Sequence, residues 1–255
     1  SRGFGLTLFE HTAMKKIFFK SYFKLARYKD NPVVFYEKLA GWVNKQIPKS
    51  NKGNWSEYNQ NHDSGFDKPV TVKQKFIYDV LISQQPKKVA DLATNKGFYA
   101  YMAEKIGADV VAFDYEADCI DAAISSMKGQ SISFCQLNFL FPTPPKGLGL
   151  VIPGAFERFS SEVALAVGLI HHVCIVQQFP VKLFCDTCAN FGSKGVLIEF
   201  VYEEDIHVEK WKMTIPTDYN RESIFRYFKF YYNEVLESEM MTEEGIKRQF
   251  FFFHK

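Results

Sequence analysis

The chain has 255 residues, 47% hydrophobic and 24% charged, with 26 phenylalanines and a formal net charge of +2. That balance excludes a disordered or fibrous chain and suits one large α/β domain, with or without a helical extension. No apolar run reaches the roughly 18 residues of a membrane-spanning helix, and Lys15 and Lys16 interrupt any signal-peptide core near the start.

The charge is uneven. Residues 1–75 carry 14 Lys/Arg against 6 Asp/Glu, and residues 76–255 carry 17 against 23. A basic segment attracts phosphate, so nucleic acid stands as a possible partner, though not the favoured one. The five cysteines are odd in number and lie in apolar segments, which predicts reduced thiols and a cytoplasmic protein. Cys185-x-x-Cys188 lacks a second ligand pair and falls in a helical pattern, so no metal site is expected.

In chain order, residues 1–54 read as a helical extension. Met14, Ile17, Phe18, Tyr22 and Leu25 recur at helical spacing beside Lys15, Lys16, Lys20, Lys24 and Arg27. Such a basic amphipathic helix suits a membrane surface or RNA, and packing on the main domain is the simpler expectation. A second helix is predicted from Pro32 to Gln46, then a polar linker from Lys49 to Gly53. Trp55, Tyr58, His62 and Phe66 stand in a polar stretch, and aromatics there usually dock on the fold or on a ligand. Trp55 to Asp67 is therefore a candidate lid. Val70 to Ser83 is predicted helical, with Val72, Phe76, Val80 and Leu81 inward.

Lys88 to Asp114 is the centre of the chain. Val89 to Leu92 reads as a strand carrying Asp91, Ala93 to Gly97 as a turn, and Phe98 to Ile106 as a helix. Val110 to Phe113 is a second strand, followed by Asp114, which lies 17 residues past Gly97. A ribose-binding acid is expected about 20 residues past the glycine turn of such a unit. The dinucleotide fingerprint G-x-G-x-x-G is absent. The alternative, D-x-G-x-G-x-G for S-adenosylmethionine (SAM), is met as Asp91-x-Ala93-x-Asn95-x-Gly97, with alanine and asparagine in place of two glycines. Asparagine tolerates left-handed backbone better than most residues. A dinucleotide, or a plain strand–helix turn with no ligand, stays open on this stretch alone.

Beyond it the alternation continues. A helix is predicted at Ala117 to Met127, a strand at Ser131 to Leu137, irregular chain at 139–158, and a strand at Glu162 to Val167. Val181 to Phe191 is a helix, Gly195 to Val201 a strand, and Tyr202 to Pro216 a charged, aromatic excursion. Arg221 to Phe228 is a helix, and Asn233 to Glu239 and Gln249 to His254 form a final hairpin. Phe250 to Phe253 is apolar on both sides, as in a strand covered on both faces. The predicted class is α/β: a Rossmann-like, doubly wound, seven-stranded, mostly parallel sheet with an antiparallel C-terminal hairpin, plus the N-terminal helical extension.

From residue 55 to 255 this pattern resembles the nodulation NoeA-like family of class I SAM-dependent methyltransferases. The residues carrying the resemblance are Trp55 and Tyr58, Lys73, Asp91 to Gly97, Asp114 after VVAF, Leu169 to Val173, Glu199 in IEFV with Glu204 and Asp205, and Tyr219. The chain departs by Ala93, where the pattern has glycine, and Glu162, where aspartate is commoner. The resemblance implies a SAM-dependent methyltransferase of a small-molecule or carrier-bound acceptor. It implies that Asp91 steers the amino-acid end of SAM, Ala93, Asn95 and Gly97 form the turn beside it, Asp114 takes the ribose hydroxyls, and Tyr115 and Asn138 meet adenine.

His171 and His172 follow the fourth strand, and a neutral imidazole there suits a general base. If strand alternation continues past Val167, then Gly168, Ile170 and His172 share one side, and His172 is the candidate facing the methyl. Glu199, Glu203, Glu204, Asp205 and His207 read as a solvated acidic loop, with Glu199 as a candidate substrate contact. An RNA or protein methyltransferase, and a catalytically silent SAM-fold module in a larger assembly, are the competing readings.

Overall fold

The computed structural model describes residue 28, residues 30–46 and residues 71–255. The predicted helix at 14–25, the linker and the lid with Trp55 and Tyr58 lie outside the described residues. The chain divides into two compact units, Ser1–Asn51 and Lys52–Lys255. In the first, α1 spans Pro32–Gln46, the bounds predicted for the second helix. Asn31 starts it: its Oδ1 accepts the Val34 N–H at 3.3 Å, and Pro32 takes the first helical position, where a missing N–H costs nothing.

The second unit is a seven-stranded sheet of order β3-β2-β1-β4-β5-β7-β6. Its strands are β1 Lys88–Asp91, β2 Asp109–Asp114, β3 Ile132–Gln136, β4 Ser161–Ala166, β5 Gly192–Val201, β6 Glu234–Glu237 and β7 Arg248–His254. The first five are parallel, and β7 runs antiparallel between β5 and β6. The helices are α2 Val72–Gln84, α3 Phe98–Lys105, α4 Ala117–Ser126, α5 Ala155–Arg158, α6 Val181–Phe191, α7 Ile206–Trp211 and α8 Arg221–Phe228. Two pieces were not legible as helix: α5, in a Pro/Gly-rich stretch, and α7, in the charged excursion.

The phenylalanine run of β7 explains why one strand joins two cores. Phe250 and Phe252 pack with Ile77, Leu81, Met102 and Leu197 on one face. Phe251 and Phe253 pack with Phe184, Phe228 and Ile198 on the other. All four rings are buried, and alternate side chains of a strand point to opposite faces.

Helix α2 corrects one expectation. Its buried residues are Gln74, Ile77, Val80 and Leu81, whereas Val72 is exposed. Thr71 caps the helix in a reciprocal capping box with Gln74, and the stripe from Gln74 follows the helical repeat. Val72, five residues before Ile77, falls on the other side of the helix.

Candidate functional site

The turn after β1 is built by short-range hydrogen bonds. The Thr94 N–H donates to the Phe113 carbonyl at 2.8 Å, and the Gly97 N–H donates to the Thr94 carbonyl at 2.9 Å. Asn95 has φ +51° and Gly97 φ +85°, left-handed values that asparagine and glycine adopt at least cost. A Cβ on Gly97 would stand 3.1 Å from the Phe134 ring, so the bare glycine lets α3 start hard against β3. Ala93 and Asn95 wall a cavity of about 780 Å³, within the range of small-molecule sites. Gly97 is not on that wall.

Asp91 also sits behind the wall. Its Oδ2 accepts the Thr94 hydroxyl at 2.7 Å within the protein, and Thr94 is the residue that meets the cavity. Burial pushes the Asp91 pKa up to about 7; the Thr94 bond opposes this, and the Asp114 charge adds to it.

Asp114, at the end of β2, faces the cavity. One oxygen accepts the Asn95 N–H and the other the Glu116 N–H, each at 3.0 Å. Burial raises its pKa, and these backbone bonds hold it back. The carboxylate is thereby fixed in orientation, with further lone pairs for a ligand. Tyr115, half exposed, and Asn138, with Leu137 and Phe139 beside it, continue the wall. Asn138 Oδ1 accepts the Leu140 N–H at 3.0 Å. Its amide NH₂ and the second lone pair of Oδ1 are the groups that bond leaves over.

Past β4 the chain coils. His172–Val176 forms a single wide helical turn, so strand alternation fails. Gly168, Leu169, His172 and Val173 reach the cavity, while Ile170 and His171 are buried. The two imidazoles lie 4.1 Å apart. His171 stacks on Trp211 at 5.7 Å and 7°, and His172 meets the same indole at 5.1 Å. Burial pulls His172 down to about 4, with Arg248 adding and Glu199 opposing. Burial and the neighbouring His172 push His171 further, to about 2. Both rings are neutral near pH 7.

Sequence reasoning missed the charge chain behind this wall. Lys73 donates to Glu199 at 2.6 Å, Arg248 to Glu199 at 3.3 Å, and Arg248 Nε to Asp205 at 2.9 Å. Glu199 and Asp205 are buried, so the expected solvated acidic loop is confined to Glu203 and Glu204. Glu199 itself is not on the cavity wall; Lys73 and Tyr99 are. Burial opposes the Glu199 charge, but Lys73 and Arg248 hold its pKa below the usual range. Asp205 also accepts the His207 and Lys247 N–H groups, each at 3.0 Å, and so starts the helix that carries Trp211. No local pattern marks this chain, because its members come from α2, β5, the loop before α7, and β7. Among the described residues, no group of three His, Cys, Asp or Glu is placed to hold a metal ion, and no helix is long and apolar enough to cross a membrane.

The strand order and the place of the cavity define a class. The fold is that of the class I SAM-dependent methyltransferases. Similar solved structures include the methyltransferase domain of bacterial CtHen1-C (16% identity, TM-score 0.52, covering 72% of this chain and 98% of that one). They also include magnesium protoporphyrin IX methyltransferase from Synechocystis PCC 6803 with bound SAM (10% identity, TM-score 0.52, 81% and 99%). A third is the bifunctional kinase-methyltransferase WbdD (12% identity, TM-score 0.53, 75% and 43%). In sequence, the chain is similar to Nodulation protein NoeA of Rhizobium meliloti strain 1021, at 29% identity over 158 residues. That match covers 59% of this chain and 33% of the relative, so the chain spans about a third of the relative's length. No family model matches the chain.

Proposed function

We propose that this protein is a SAM-dependent methyltransferase of a small-molecule or carrier-bound acceptor, with residues 55–255 as the catalytic domain and 1–54 as an extension. The observation that carries the reading is Asp114, a carboxylate oriented by two backbone N–H groups at the end of β2 and facing the cavity. That is the group needed to accept two hydrogen bonds from a ribose. Ala93 and Asn95 allow close approach of the ligand at the turn. Tyr115, Leu137 and Phe139 offer surfaces for adenine, and the Asn138 side-chain amide hydrogen-bonds its amino group. Asp91 acts through Thr94, setting the turn from behind.

SAM, when bound, supplies a methyl group already activated on a sulfonium. The protein's task is then mainly orientation. His172, neutral and on the wall, would accept the proton of an acceptor hydroxyl or amine. Trp55 and Tyr58 belong, on this reading, to a lid over the cofactor. Hydrogen exchange across 55–67 should slow when S-adenosylhomocysteine (SAH) is added, and unchanged exchange at saturation removes the lid.

The site is tested by calorimetry with SAH. Hydrogen bonds to a charged group contribute about 1.5–3 kcal/mol each, so Asp114→Ala should weaken binding at least about tenfold. Equal affinity in the variant, or no binding by the wild type, removes the proposal.

A further inference from the structure

The stretch from Phe139 to Gly154 leaves the cavity wall at Leu140 and forms a hairpin that the proposed chemistry does not use. Lys146 and Ile152 exchange both backbone hydrogen bonds, at 2.9 and 3.0 Å, and the Ala155 N–H closes the base on the Thr143 carbonyl at 2.8 Å. Every residue from Pro144 to Ile152 is exposed. At the tip Leu148 is 96% exposed, Val151 75% and Leu150 67%. A hydrogen-bonded hairpin with an exposed aliphatic tip is unusual on a soluble surface and marks an interaction site. Leu150 also holds φ +56°, a left-handed backbone that is costly for a bulky side chain. Such strain persists where the surroundings impose it, and it gathers at functional segments.

The tip's chemistry favours lipid over protein. Its exposed apolar side chains are all aliphatic, without the Trp, Tyr or Arg anchors that dominate protein interfaces. Hydrocarbon needs no complementary groove. Residues 137–156 contain no Asp or Glu. Around the base stand Lys146, Arg158, which donates to Thr143 Oγ1 at 2.9 Å, and Lys88, whose Nζ reaches the Arg158 carbonyl at 3.5 Å; Glu157 is the opposing acid on α5. An apolar tip above a net positive base complements an anionic bilayer, the tip entering the acyl boundary and the cations meeting headgroups.

We propose that the hairpin docks this protein on an anionic lipid surface by inserting Leu148, Leu150 and Val151. This is independent of the methyltransferase reading, because no tip residue walls the cavity.

The test is co-sedimentation of the full chain with vesicles of phosphatidylglycerol and phosphatidylcholine, and with vesicles of phosphatidylcholine alone. Wild type should be retained on the mixed vesicles and much less on phosphatidylcholine. The double variant Leu148→Glu/Val151→Glu should lose at least about tenfold in partitioning, since each buried aliphatic side chain contributes about that factor. Its melting temperature and SAH affinity should equal wild type, because both positions are solvated. Three results overturn the proposal: wild type that does not sediment, a variant retained as well as wild type, or a concentration-dependent dimer that the variant makes monomeric. The second would assign any vesicle binding to another part of the chain, and the third would make the tip a contact between copies.

Discussion

The two sides of the cavity are built on opposite plans. The side formed by β1, its turn and β2 is local and acidic: Asp91, Thr94, Asn95 and Asp114 hold one another within one strand–helix–strand unit. The side past β4 is assembled from afar: Lys73, Glu199, Asp205 and Arg248 meet from four segments and balance their charges in pairs. The acids of the first side are raised above their ordinary pKa, because burial is met mainly by neutral donors. The acids of the second are lowered, because cations outweigh burial. Burial alone therefore does not set the charge state of a carboxylate here; its partner does.

Breaking the second side should have the largest effect. Glu199→Ala leaves Lys73 and Arg248 facing each other without their shared acid. Removing one partner of a buried pair typically costs about 3–5 kcal/mol. Urea unfolding should show a loss of that order; a loss under about 1 kcal/mol would mean the chain of charges is not a supporting element.

The first side should respond with the opposite sign to pH. The folded Asp91 pKa, about 7, lies above the unfolded value of about 3.9. Folded protein then holds a proton that unfolded protein has lost, so this residue's stabilisation is complete below pH 4 and is lost as pH rises through 7. Asp91→Asn should flatten that decline, which amounts to at most about 4 kcal/mol. A variant whose stability falls between pH 4 and 7 as steeply as wild type would remove Asp91 as the cause.

The histidines give the next effect. His172→Ala should cut methyl transfer roughly 10²-fold while SAH affinity holds, and the acidic limb of the rate profile should lie near pH 4 rather than at an ordinary histidine value. His171→Ala, behind the wall and stacked on Trp211, should cost stability first. Near wild-type turnover without His172 would leave orientation alone to explain catalysis. Asp114→Ala tests the first side through binding, with SAH affinity falling at least about tenfold.

The sequence by itself determined the strand–helix alternation, the extent of α6 and α8, the hairpin that puts a phenylalanine strand between two cores, and the place of Asp114 at the end of β2. Those features repeat at helical or strand period, or lie within one 27-residue unit. Only the tertiary structure decided which side chains behind the wall meet. It turned Asp91 toward Thr94, engaged the Asn138 oxygen in a turn, and coiled the chain past Gly168 so that His172 and Leu169 share a wall. It also drew Glu199 and Asp205 inside. The physical reason is the same each time: a buried polar group takes the partner that packing brings within hydrogen-bond reach, and residues 73, 199, 205 and 248 become neighbours only once the sheet is assembled.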